Sequence, residues 1–178
     1  MRAHIDVERY GPGEEVGDPR PGDFLLIHGC SWVSRLVYAG ERLRPRELRT
    51  FGHWSHSALV MRRDGLIAEV LNTGVVLGHV SRYRGEEYHY VRLDQPLGPA
   101  LLAVEYARSC VGQPYRYLSC VRLCWNLVTR RPIRVRDRGQ QNCASLVGRA
   151  LERAGHRFAE RPHEMMIGDL ARHFGVAP

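Results

Sequence analysis

The spacing of the apolar residues changes at Leu93, and that change limits the fold more than any other feature of the chain. Before it, short apolar or alternating runs read as strands: Phe24-Leu25-Leu26-Ile27, Ser57 to Met61, Leu66 to Val70 and Tyr88 to Leu93. After it, the spacing becomes helical. Leu101, Val104, Ala107 and Val111 form one stripe, and Leu118, Val121, Cys124, Trp125 and Val128 a second. Leu146, Val147, Ala150, Leu151 and Ala154 form a third, and Met166, Leu170 and Phe174 a short last one. Strands grouped first and helices grouped second predict an α+β fold. One helix interrupts the strand half, with Ser31 as its cap and Trp32, Val33, Leu36 and Val37 as its apolar face. Residues 1–20, punctuated by Gly-Pro-Gly and Asp-Pro, read as an irregular, poorly packed lead-in, and 21–178 as a single domain.

With 178 residues and 44% hydrophobic content, such a domain builds its core without covalent staples. The net charge is +7, and all 26 basic residues are arginine. This favours anionic partners, but the arginines are scattered and no nucleic-acid motif accompanies them, which points away from nucleic acid. The stretches 40–50 and 130–138 read as basic surface loops. Neither a signal segment nor an apolar run of membrane-spanning length is seen, so a cytoplasmic location without an integral membrane segment is expected. Five cysteines, an odd number without a regular framework, fit free thiols in a reducing compartment. Cys120 and Cys124 read as core positions.

Two stretches carry chemistry. The first is Gln141-Asn142-Cys143-Ala144-Ser145-Leu146-Val147, where Asn142 is a good N-cap and Cys143 falls in the first helical turn. Unpaired backbone N–H groups and the positive end of the helix dipole make that an environment favourable to a thiolate. A buried structural cysteine is the alternative. The second stretch is Ser55-His56-Ser57-Ala58-Leu59-Val60, where period two puts His56 on one face with Ala58 and Val60. A histidine so placed is either hydrogen-bonded in the core or facing a site. His53, three residues earlier, would point to the opposite face of the strand, which argues against a metal pair; no cofactor is expected. Cysteine and histidine together are the parts of a nucleophile and its base, here with the histidine first.

These stretches resemble the NlpC-type cysteine peptidase superfamily, in its circularly permuted papain-fold branch, whose relatives include lecithin:retinol acyltransferase-like proteins. Four segments carry the resemblance: Pro21-Gly22-Asp23-Phe24-Leu25-Leu26, Ser55-His56-Ser57-Ala58-Leu59-Val60, Gly112-Gln113-Pro114-Tyr115 and Asn142-Cys143-Ala144-Ser145-Leu146-Val147. It spans roughly residues 21–175. The chain departs from the family pattern where Asn142 replaces a common acidic residue and Ala144-Ser145 replaces Ser-Gly or Ser-Glu. The resemblance implies a permuted papain-like fold, a small antiparallel sheet or half-barrel packed on helices. It implies Cys143 as nucleophile, His56 as base, a polar third residue on the following strand, and Tyr115 as an oxyanion or substrate contact beside the Cys143 N–H.

Glu69 is the third-residue candidate, because a carboxylate there would orient and charge-stabilise the imidazole. The register raises a difficulty. If Asp64-Gly65 is a two-residue turn, Val60 faces Glu69 and Thr73 faces His56, which leaves Glu69 some ~13 Å along the strand. A bulge, strong coiling or a longer loop must close the gap; Thr73 and Asn72 are the alternatives in place.

The activity implied is hydrolysis of an amide or peptide bond through an acyl-enzyme, on peptidoglycan-type peptides or small amides. A phage- or self-encoded lytic protein, or a cytoplasmic recycling enzyme, fits both the resemblance and the missing signal. An acyltransferase or thioesterase acting on lipid would use the same thiol, but no basic amphipathic helix or apolar tail supports it. A non-catalytic basic binding module is the third possibility.

Overall fold

The computed structural model describes residues 5–30, 32–42, 49–114 and 142–178. Its described residues form an α+β structure, a six-stranded antiparallel sheet with helices packed on one face. The strands are β1 (Ile5–Tyr10), β2 (Phe24–His28), β3 (His56–Val60), β4 (Leu66–Leu71), β5 (Gly74–His79) and β6 (Glu87–Leu93). Their order across the sheet is β1-β6-β2-β3-β4-β5, and every neighbouring pair is antiparallel. The helices are α1 (Trp32–Arg42), α2 (Leu97–Cys110), α3 (Cys143–Arg153) and α4 (Ile167–His173).

β2 lies inside the sheet with both faces covered, which is why Phe24 to Ile27 is uninterrupted apolar sequence. Its start is fixed by Pro21-Gly22-Asp23. Gly22 adopts φ +90 against Ala100, where a side chain would clash. Buried Asp23 accepts from Leu93 N at 2.8 Å and from Tyr90 Oη at 2.7 Å, tying β2 to β6. On one face Leu26, Leu59, Ala68, Val70 and Val91 meet α2, α3 and α4. Leu146, Val147 and Leu151 are fully buried there, each worth about 1.5–3 kcal/mol over exposure. On the other face Leu25, Ile27, Ala58, Val60, Ile67, Tyr88 and Tyr90 form a second cluster with Val16, Val80 and Tyr83.

Two expectations need correction, and one strand is unforeseen. Residues 5–10 are a strand rather than irregular lead-in: β1 pairs with β6 along its whole length, from Ile5 opposite Leu93 to Tyr10 opposite Tyr88. Val16 is buried, and the Tyr88 and Tyr90 hydroxyls accept from Val16 N and Arg20 N at 3.0 and 2.7 Å. The buried stripe of α2 is Ala100, Ala103, Val104, Ala107 and Cys110, while Leu101 and Val111 are exposed. Alanines at those positions let α2 approach α3 closely. Finally, Gly74–His79 forms β5, an edge strand whose alternation two glycines had obscured. No described helix is long and apolar enough to cross a membrane. Ser31, the 118–128 stripe with Cys120 and Cys124, and the 130–138 loop lie outside the described residues.

Candidate active site

Cys143 is the first residue of α3, and the turn before it is closed by a reciprocal cap. Asn142 Oδ1 accepts from Ser145 N at 2.6 Å, and Ser145 Oγ accepts from Asn142 N at 2.8 Å. Both residues are buried, so the first turn is held in place and Cys143 remains half-buried at its surface. The thiol lies close enough to His56 to favour the protonated imidazole.

His56 opens β3, where it stands opposite Ile27 of β2. Its Nε2 lies 3.1 Å from Glu69 Oε2. The register explains how Glu69 gets there. Met61 N bonds Leu66 O at 2.8 Å, making Arg62 to Gly65 a four-residue loop rather than the two-residue turn considered from the sequence. Glu69 therefore stands opposite Ala58 and not Val60. It is two residues, not four, from the position facing His56, a diagonal that two long side chains span. Asn72 and Thr73 sit exposed in the turn between β4 and β5.

Glu69 is completely buried, and three donors meet its carboxylate. His56 Nε2 and Tyr83 Oη share Oε2, and Arg82 Nη1 bonds Oε1 at 2.7 Å. Burial alone would push the carboxyl toward protonation. Hydrogen bonds from His56 and Tyr83, with the charges of His56 and Arg82, more than offset it and hold the group below its usual value. Burial also opposes charge on His56. The bonds to Cys143 and Glu69 outweigh it and raise the imidazole from 6.5 to about 9. Burial and the adjacent carboxylate raise the Tyr83 phenol, which stays a donor. The arrangement suits a proton-bearing imidazole held between a thiol and a fixed carboxylate.

Arg82 and Tyr83 come from the single turn of 3-10 helix at Val80–Tyr83, and sequence reasoning missed both. A tyrosine in the polar stretch Ser81-Arg82-Tyr83-Arg84 was the one available hint. Tyr115 lies outside the described residues. The segment leading to it is anchored on β5: Val75 N bonds Gln113 O, and Gly112 N bonds Val75 O, both at 2.9 Å. His53 is not on the strand but on the 3-10 turn Thr50–His53, so the opposite-face argument does not apply to it. It stacks on His28 with centroids 4.1 Å apart and its Nε2 lies 3.2 Å from Glu87 Oε1. Among the described residues no group of three His, Cys, Asp or Glu side chains is placed to hold a metal ion. A comparison with protein-family models found no match, and a search of curated proteins found no similar sequence.

Proposed function

We propose that the protein is a thiol-dependent hydrolase that cleaves an amide or peptide bond through an acyl-enzyme on Cys143, on a permuted papain-like fold. The observation that carries this reading is the chain of contacts from the first-turn thiol through His56 to the buried carboxylate of Glu69. An α+β architecture with the histidine strand before the cysteine helix supports the permuted order.

In this reading His56 holds the thiol proton, and Cys143 Sγ attacks the substrate carbonyl. The oxyanion meets the backbone N–H of Cys143, one of the N–H groups a helix leaves without an intrahelical partner, and Tyr115 is the second donor that the resemblance implies. Collapse breaks the C–N bond as His56 returns its proton to the leaving amine. Water, deprotonated by His56, then attacks the thioester; the acid leaves and the thiol is restored. Glu69 fixes the ring and stabilises its charge throughout. The substrate class proposed is a peptidoglycan-type peptide or a small amide.

The test is incubation with a panel of peptide amides and matched esters, quenched in acid and read by intact-protein mass. An acyl adduct mapped to Cys143, and product lost in Cys143→Ala, supports the reading. Adducts from esters alone would favour the acyltransferase or thioesterase alternative, and none from either would favour a binding module.

A further inference from the structure

Gly78 is an interior residue of β5, where glycine weakens a strand unless something needs the space. Its backbone gives no reason for glycine, since it is not among the positive-φ glycines. Its surroundings do. A Cβ at Gly78 would fall closer to Glu69 Oε1 than real Cβ atoms approach, while its next neighbours, Glu69 Cδ at 3.5 Å and Ile67 Cγ1 at 3.6 Å, are ordinary contacts. Among the described residues, the carboxylate of Glu69 is therefore the group that occupies the place of a side chain.

The register accounts for this geometry. Gly78 stands opposite Ile67 and Glu69 opposite Val76, so the two are diagonal neighbours on one face. Glu69 bears the same diagonal relation to His56 on the other side, through Ala58. The carboxylate thus spans β4 from a seat on β5 to the imidazole on β3. Oε1, the atom in the seat, also accepts from Arg82 Nη1, while Oε2 faces His56 and Tyr83.

We propose that Gly78 is a positioning residue: its missing side chain is the seat that lets the Glu69 carboxylate lie flat between Arg82 and His56. Any Cβ there rotates the carboxylate out of line, breaking the Arg82 bond and withdrawing Oε2 from Nε2. The titratable and charged groups facing the carboxylate are His56, Arg82 and the neutral Tyr83 phenol, and those facing His56 are Glu69, Cys143 and Tyr83, whose ring centroid lies 5.9 Å from the imidazole. The consequence for catalysis rests on the function proposed above; the seat itself does not.

The experiment is a mutant cycle of Gly78→Ala and Glu69→Ala, read by NMR titration of His56 and by thermal melting. Alone, Gly78→Ala lowers the His56 midpoint by about one unit or more. It also lowers the melting temperature by about 3 °C or more. In the Glu69→Ala background the same substitution changes neither, or raises the melting temperature, because the Cβ now enters a vacated seat. If Gly78→Ala alone does not fold while the double variant does, the seat is equally supported. The same penalty in both backgrounds, or no penalty in either, overturns it. Should Cys143 show no chemistry while the cycle is non-additive, the hydrolase reading falls and the seat stands. Additive effects with a reactive Cys143 give the reverse.

Discussion

His56 and Glu69 meet on a diagonal: Glu69 stands opposite Ala58, two residues along β3 from His56, and Nε2 lies 3.1 Å from Oε2. That contact exists because four loop residues, not two, separate the paired positions Met61 and Leu66. A change of two residues in register decides whether a carboxylate or a turn residue serves the imidazole.

The first prediction follows from that pair. His56 is raised to about 9 in the folded protein from 6.5, so its contribution to stability is fully present below about pH 6.5 and is lost as pH rises through 9. Glu69→Gln removes the charge and should lower the His56 NMR midpoint by about one unit or more. It should also flatten the fall in stability between pH 6.5 and 9, a term of roughly 1–3 kcal/mol. Thr73→Val should leave the midpoint within ~0.2 units, since Thr73 lies in the exposed turn. A midpoint that moves with Thr73 and not with Glu69 would contradict the site.

A second prediction concerns acid. His89 is buried against Trp54 at 4.4 Å, its Nδ1 has no hydrogen-bond partner among the described residues, and burial lowers its pKa to about 4. Its proton is taken up more readily by the unfolded chain, so stability falls as pH drops from 6.5 to 4. Asp23 works the other way: burial raises it from 3.8 to about 6, so its protonation over that window favours the fold. Relative to the parent, His89→Phe should gain roughly 1–3 kcal/mol in urea unfolding between pH 7 and pH 4.5. A constant difference at the two pH values would show that His89 does not titrate as described.

The cap of α3 supplies a third. Asn142→Ala removes the acceptor for Ser145 N and should cost about 1 kcal/mol. Because that box also fixes the turn carrying Cys143, alkylation of the thiol should slow several-fold. Asn142→Asp keeps the acceptor and should keep the stability. Unfolding and labelling of the two variants, side by side, separate the cap from the thiol's environment.

The fourth is structural. Trp54 is fully buried, and its Nε1 donates to Val176 O at 3.1 Å, fastening the segment after α4 beside the start of β3. Trp54→Phe loses that bond and part of the packing, and should cost about 1–3 kcal/mol in denaturant unfolding. An unchanged midpoint would mean the segment is held by other contacts.

How far the sequence discloses this structure depends on how local each feature is. The α3 stripe, the Asn142 cap and the strand runs at Phe24 and Leu66 are local patterns, and the fold keeps them. β1 escapes because Ile5-Asp6-Val7-Glu8-Arg9-Tyr10 is a half-exposed edge strand, and its pairing with β6 is set by residues some eighty positions away. The large leucines of α2 mislead because close helix packing selects its alanines. At the candidate site, Cys143 and His56 stand out by residue type and neighbours, while Glu69 comes from the family resemblance, against a two-residue-turn register that favours Thr73. Arg82 and Tyr83 do not stand out, since only the folded path of the 3-10 turn brings them to Glu69.

The most direct test of the central claim sets reactivity against accessibility. Among the described cysteines, Cys30 is exposed, Cys110 buried and Cys143 half-buried. Under limiting iodoacetamide at pH 6 to 7, with sites quantified by peptide mass, the account predicts that Cys143 is modified first. It predicts too that His56→Ala slows that modification while leaving Cys30 unchanged. Faster labelling of exposed Cys30, or a Cys143 rate indifferent to His56 in a folded variant, would contradict it.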